Sequence, residues 1–104
     1  MLNKVALSKE YYDKVFLRFS IVLRVVHREL NFGCITTSIE RTKFNIRWTV
    51  RKTNHKKFVY NIPITFESIG TDEISNDELF VIAEDLVKTA LQTIPENLRR
   101  KTNA

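Results

Sequence analysis

The sequence of 104 residues predicts an α+β fold. The expected architecture is a two-layer α-β-β-β-α sandwich: a three-stranded antiparallel meander with an N-terminal and a C-terminal helix on one face. Three patterns predict it. Apolar residues recur at spacings of three and four before residue 31, and again after Ser75. Between these segments, three short runs alternate strictly between apolar and polar side chains. A meander with one apolar face needs a cover, and two amphipathic helices can supply it.

The first helix is read from Tyr12, Val15, Phe16, Phe19, Val22, Leu23, Val26 and Leu30, which fall on one stripe between Lys9 and Leu30. Ser8 suits the N-cap, and Glu10 and Asp13 suit the positive end of the helix dipole. Asn31 or Gly33 is expected to supply the left-handed residue that ends it. Leu17, Ile21 and Val25 form a second apolar line on the far side, flanked by Lys14, Arg18, Arg24 and Arg28. A surface helix does not need such a line. It packs under a loop or under Leu2 and Val5, or it serves with Arg24 and Arg28 as a homodimer or partner contact.

The three alternating runs follow. CITTSIE (34–40) sets Ile35, Thr37 and Ile39 against Thr36, Ser38 and Glu40. FNIRWTVR (44–51) sets Phe44, Ile46, Trp48 and Val50 against Asn45, Arg47, Thr49 and Arg51. KFVYNIPITF (57–66) sets Phe58, Tyr60, Ile62, Ile64 and Phe66 against Lys57, Val59, Asn61, Pro63 and Thr65. ERTK and KTNHK are short enough for hairpin connections, with Asn54 able to take a positive φ. Pro63 cannot donate to a ladder, which predicts an edge position for the third strand.

SIGTDEISND (68–77) reads as a loop, and Ser75 with Glu78 as a capping box. The helix behind it should bury Leu79, Ile82, Ala83, Leu86, Ala90 and Ile94 and leave Glu84, Asp85, Lys88 and Gln92 outside. Pro95 marks its end. Residues 1–98 thus form one expected domain, and 99–104 a basic tail carrying Arg99, Arg100 and Lys101.

Composition excludes several function classes. Cys34 is the only cysteine and there are two histidines, too few for a Cys₂His₂ or Cys₄ zinc site within one chain. Two glycines cannot build a phosphate-cradling Gly-rich loop. No metal or cofactor is expected. No apolar run reaches membrane-spanning length, and the N-terminus lacks the features of a signal peptide, so the expectation is a cytoplasmic protein with no membrane partner. A Cys34–His27 pair has no orienting third group, and Glu84 and Asp85 point to different azimuths, so no enzyme is expected.

Charge carries the functional reading. The net charge of +5 hides a strong asymmetry. Residues 41–58 hold Arg41, Lys43, Arg47, Arg51, Lys52, Lys56 and Lys57 with no acid, whereas residues 67–98 hold eight acids against Lys88 alone. The aromatic residues of the basic stretch alternate onto the core side, which leaves no open platform for stacking bases. What remains is a cationic ribbon of the width that enters a duplex major groove, with its side chains meeting phosphates. A face built only for solubility mixes charge signs, and this stretch does not. The expected function is therefore a non-enzymatic, nucleic-acid-binding accessory protein, with duplex DNA favoured and a homodimer raising its affinity. The Lys, Asn and Ile content suits an AT-rich phage or plasmid source. The alternative is a protein–protein module of the inhibitor, immunity or assembly-chaperone kind, using the second apolar line or the acidic second helix.

The α-β-β-β-α order resembles that of double-stranded-RNA-binding domains in topology. That family carries a run of lysines where this chain has the acidic TDEISNDE, and its Gly-containing first hairpin is replaced by SIERTKF. The resemblance therefore implies a layout and no site residue.

Overall fold

The computed structural model describes residues 8–51 and 57–95. Helix α1 runs Lys9–Glu29, strands β1, β2 and β3 run Cys34–Glu40, Lys43–Arg51 and Lys57–Thr65, and helices α2 and α3 run Phe66–Gly70 and Asn76–Thr93. The sheet is antiparallel in the order β1-β2-β3, so β2 is central and β3, with Pro63, is an edge strand as expected.

Local signals set most boundaries. Ser8 caps α1 by accepting a hydrogen bond from the Tyr11 N–H. Ser75 and Glu78 form the reciprocal capping box of α3. The end of α1 differs from expectation. Its C-cap is Leu30, at φ −100° and with its N–H still bonded to the Val26 carbonyl, whereas Gly33, at φ +91°, lies three residues further on and turns the chain into β1.

The additional helix α2 begins at Phe66, where the alternation predicts a strand residue. Thr65 caps it by accepting from the Ser68 N–H, and the Phe66 N–H bonds the Thr42 carbonyl. Phe66 stays buried, so its side chain satisfies the strand pattern while its backbone has already left the strand. Gly70 brings α2 against α1: a Cβ there would lie 2.9 Å from Val15 Cγ2.

One core joins the layers. Val15, Phe19, Val22, Val26 and Leu30 of α1 pack with Phe44, Ile46, Trp48 and Val50 of β2, Ile62 and Ile64 of β3, and Leu79, Ala83, Val87 and Ala90 of α3. Phe19 stacks on Phe44 at 3.8 Å between ring centroids. Val87 is a core residue outside the expected stripe, while Ile82 and Leu86 are only half-buried. The buried side of α3 is rotated toward Val87 because the helix packs mainly along α1, not flat on the sheet.

Packing along α1 also accounts for the second apolar line. Lys14 pairs with Asp72, Arg18 donates to the Ile74 carbonyl, and Arg28 approaches Glu84 at 3.9 Å. Val25 lies on the same flank and is fully buried, and Ile21 is half-buried. Leu17 alone is open, at 65 % exposure. The three residues are therefore not a free dimer face, since two of them are already used to join α1 to the rest of the fold. Arg24 and Arg28 are exposed, but they flank no continuous apolar line.

Candidate nucleic-acid interface

Alternation along β2 decides which side chains the open face presents. Phe44, Ile46, Trp48 and Val50 face the helices and are buried, and Arg47 and Arg51 project from the other side and are exposed. A one-residue slip in register would exchange the two sets. It would cost roughly 1.5–3 kcal/mol for each large apolar side chain brought into water. The cations are thus held outward by the burial of their neighbours.

Pairing then assembles the face in rows. Arg51 lies opposite Lys57, Thr49 between Cys34 and Val59, Arg47 between Thr36 and Asn61, and Asn45 between Ser38 and Pro63. At the far end, Lys43 lies between Glu40 and Thr65. Glu40 is the only acid on this described face. Arg47, Arg51 and Lys57 surround an open depression of about 640 Å³, with Cys34, Thr36 and Thr49 also on its lining. None of Arg41, Lys43, Arg47, Arg51 and Lys57 is in an ion pair among the described residues.

Of the seven sequence-predicted cations, the structure brings Arg47, from the middle of β2, together with Arg51 and Lys57 around one depression. Arg41 and Lys43 sit at the other end of this nine-residue strand, with Lys43 roughly 27 Å from Arg51 and roughly 14 Å from Arg47. Lys52 and Lys56 lie outside the described residues. Arg41 occupies the first position of the two-residue β1–β2 loop at φ +59°, a conformation that glycine or asparagine takes more readily. Sequence alternation located the strand but could not reveal that the loop forces this arginine into the left-handed region.

The aromatic residues of β2 and β3, and Phe66 after them, do not join the cations. Phe44, Trp48 and Phe66 are buried, and Phe58 and Tyr60 are half-buried on the helix side. The strand residues of the outer face offer hydrogen-bond donors and positive charge and no aromatic ring, while half-buried Phe32, ahead of β1, is among the residues that line the depression. Cys34 is exposed at the margin of the depression, and His27 is exposed on α1. Among the described residues, no helix is long and apolar enough to cross a membrane.

No protein-family model, curated protein or solved structure matches the chain. What the fold and the site define is a class by architecture: a small α+β sandwich whose outer sheet face is cationic and carries no covering element among the described residues.

Proposed function

We propose that the protein is a nucleic-acid-binding accessory protein that holds a duplex, preferably DNA, against the outer face of its sheet. The observation that carries this reading is the grouping of Arg47, Arg51 and Lys57 around one open depression with no acid among its lining residues. Arginine suits phosphate because its planar fork donates two parallel hydrogen bonds. Thr36, Thr49 and Asn61 add neutral donors between the charges. Arg41 and Lys43 extend the cationic path along β2 to the opposite hairpin.

Duplex is favoured over single strand because the rings that would stack on splayed bases point into the core. Each phosphate neutralised releases counterions, so three to five contacts give a logarithmic salt slope of about −3 to −5. The reading as a phage or plasmid accessory component rests on composition alone.

The test is fluorescence anisotropy of labelled duplex and single-stranded DNA across a salt series. Duplex binding with the stated slope, abolished by the double substitution Arg47→Glu, Arg51→Glu in a protein with unchanged circular dichroism, supports the reading. Undiminished binding by that folded variant removes this face from the site. Absence of binding at low salt retires the nucleic-acid reading and leaves a protein partner as the alternative.

A further inference from the structure

The two edges of the sheet are not alike. Edge strand β3 carries Pro63 opposite Asn45. Edge strand β1 has no proline and no lysine, and six of its seven residues are exposed. Glu40 and Lys43 close a two-residue hairpin loop, which makes them a hydrogen-bonded pair. Alternation from that pair makes Ser38, Thr36 and Cys34 the residues of β1 bonded to β2. The N–H and C=O groups of Ile35, Thr37 and Ile39 therefore point away from the sheet. The same alternation, carried across β2, turns the nitrogen of Pro63 outward on β3. One edge is thus interrupted at Pro63, near its C-terminal end, and the other offers a run of donors and acceptors unused among the described residues.

We infer that β1 pairs edge to edge with β1 of a second copy of this chain, antiparallel and centred on Thr37, to form a continuous six-stranded sheet. Three features of the strand select its own copy. Centred on Thr37, the sequence is self-complementary: Ile35 meets Ile39 of the second copy on the inner face, and Thr36 meets Ser38 on the outer face. About six inter-chain hydrogen bonds result, two at each of the pairs that face each other through the edge. Glu40, the only acid of the described outer face, is carried to Cys34 of the second copy, with its Cα roughly 12 Å from those of that copy's Arg47 and Arg51. Finally, the inner face at this edge is apolar and uncovered: Ile39 is 54 % exposed and Phe16 47 %. Phe16 rests 5.6 Å from Phe44, the strand neighbour of Ile39, so the two belong to one patch along the edge.

This pairing does not depend on what the outer face binds. It places both basic faces on the same side of one sheet, with the two Arg47 rows about 14 Å apart across three strand spacings. It also replaces the α1 surface as the dimer contact, since Val25 is buried within the fold.

Sedimentation velocity tests it. An edge contact of this size is weak, so the range must extend from about 10 μM to about 1 mM. Wild type should pass from monomer to dimer in that range. Thr37→Pro removes an N–H that no hydrogen bond among the described residues uses, and Ile39→Lys places a charge on the exposed apolar patch. Both should remain monomeric with unchanged circular dichroism. The register has its own readout in a Cys34→Ser background. There Thr37→Cys faces its own copy at about 5.5 Å between Cα atoms and should cross-link on mild oxidation. Wild-type Cys34, about 20 Å from its copy in this register, should not. A wild type that stays monomeric at 1 mM overturns the pairing. So does a dimer that survives both substitutions, or a dimer in which Thr37→Cys fails to cross-link.

Discussion

Trp48 donates its indole N–H to the main-chain carbonyl of Phe32 at 2.8 Å, and the two rings meet edge to face at 5.2 Å. This contact ties the centre of β2 to the turn that leaves α1. It gives a fully buried polar atom its partner and fixes where β1 must start. Trp48→Phe keeps much of the apolar bulk and leaves the Phe32 carbonyl without its donor. The expected loss of stability is about 1–3 kcal/mol, read as a lowered urea midpoint with an unchanged slope.

Gly33 stands beside that contact at φ +91°, and a Cβ there would lie 2.6 Å from the Thr49 carbonyl oxygen and 3.0 Å from Trp48 Nε1. Backbone conformation and space both demand glycine. Gly33→Ala should cost about 2 kcal/mol or more by urea unfolding. Its tryptophan emission should shift if the substitution displaces the indole. A near-neutral effect would mean that the turn can be rebuilt without φ > 0.

Arg41 presents the opposite case, a side chain kept where the backbone disfavours it. Asparagine visits the left-handed region more readily, so Arg41→Asn should raise stability by about 0.5–1 kcal/mol. If the cation serves binding, the same variant should hold duplex DNA more weakly and with a salt slope shallower by about 1. Opposite signs in the two assays separate a functional arginine from an incidental one.

The Lys14–Asp72 pair makes a pH-dependent link between α1 and the segment before α3. A hydrogen bond from Lys14, and then its charge, hold the Asp72 carboxyl below its ordinary value of 3.8. A depressed folded value means that the contribution of the pair is present above the ordinary carboxylate range and is lost as pH falls through the lowered value. Both side chains are solvated enough for salt to weaken the effect. In an NMR titration, Lys14→Met should move the Asp72 midpoint up toward its ordinary value. An unmoved midpoint would show that the pair is not populated in solution.

Much of the layout was legible in the chain because its signals are local. The alternation in FNIRWTVR identifies a half-buried strand with Arg47 and Arg51 outward, and Ser75 with Glu78 identifies the start of α3. Features that depend on which surface meets which were not legible. Tyr12 and Phe16 share the periodicity of Val15 and Phe19 yet remain partly open, because the helical layer does not cover the β1 side of the sheet. Val25 sits in a pattern that reads as a second exposed line, yet it is buried once α3 packs along α1. Helix α2 was hidden because Phe66 obeys the strand period with its side chain while its N–H turns to Thr42.

The sequence by itself determined the order of the elements other than α2, the N-caps of α1 and α3, and the separation of cations from aromatic rings on the two sides of β2. These follow from spacing, capping chemistry and the period of a strand, all of which act within a few residues. Only the tertiary structure decided that Arg47, Arg51 and Lys57 surround one depression while Arg41 and Lys43 stand at the far end of the strand. It also decided that Leu17, Ile21 and Val25 have unequal exposure, and that β1 is the other edge of the sheet, unpaired on its outer side among the described residues. Each of these depends on strand order and on the helix faces that meet, contacts between residues tens of positions apart that no local period encodes.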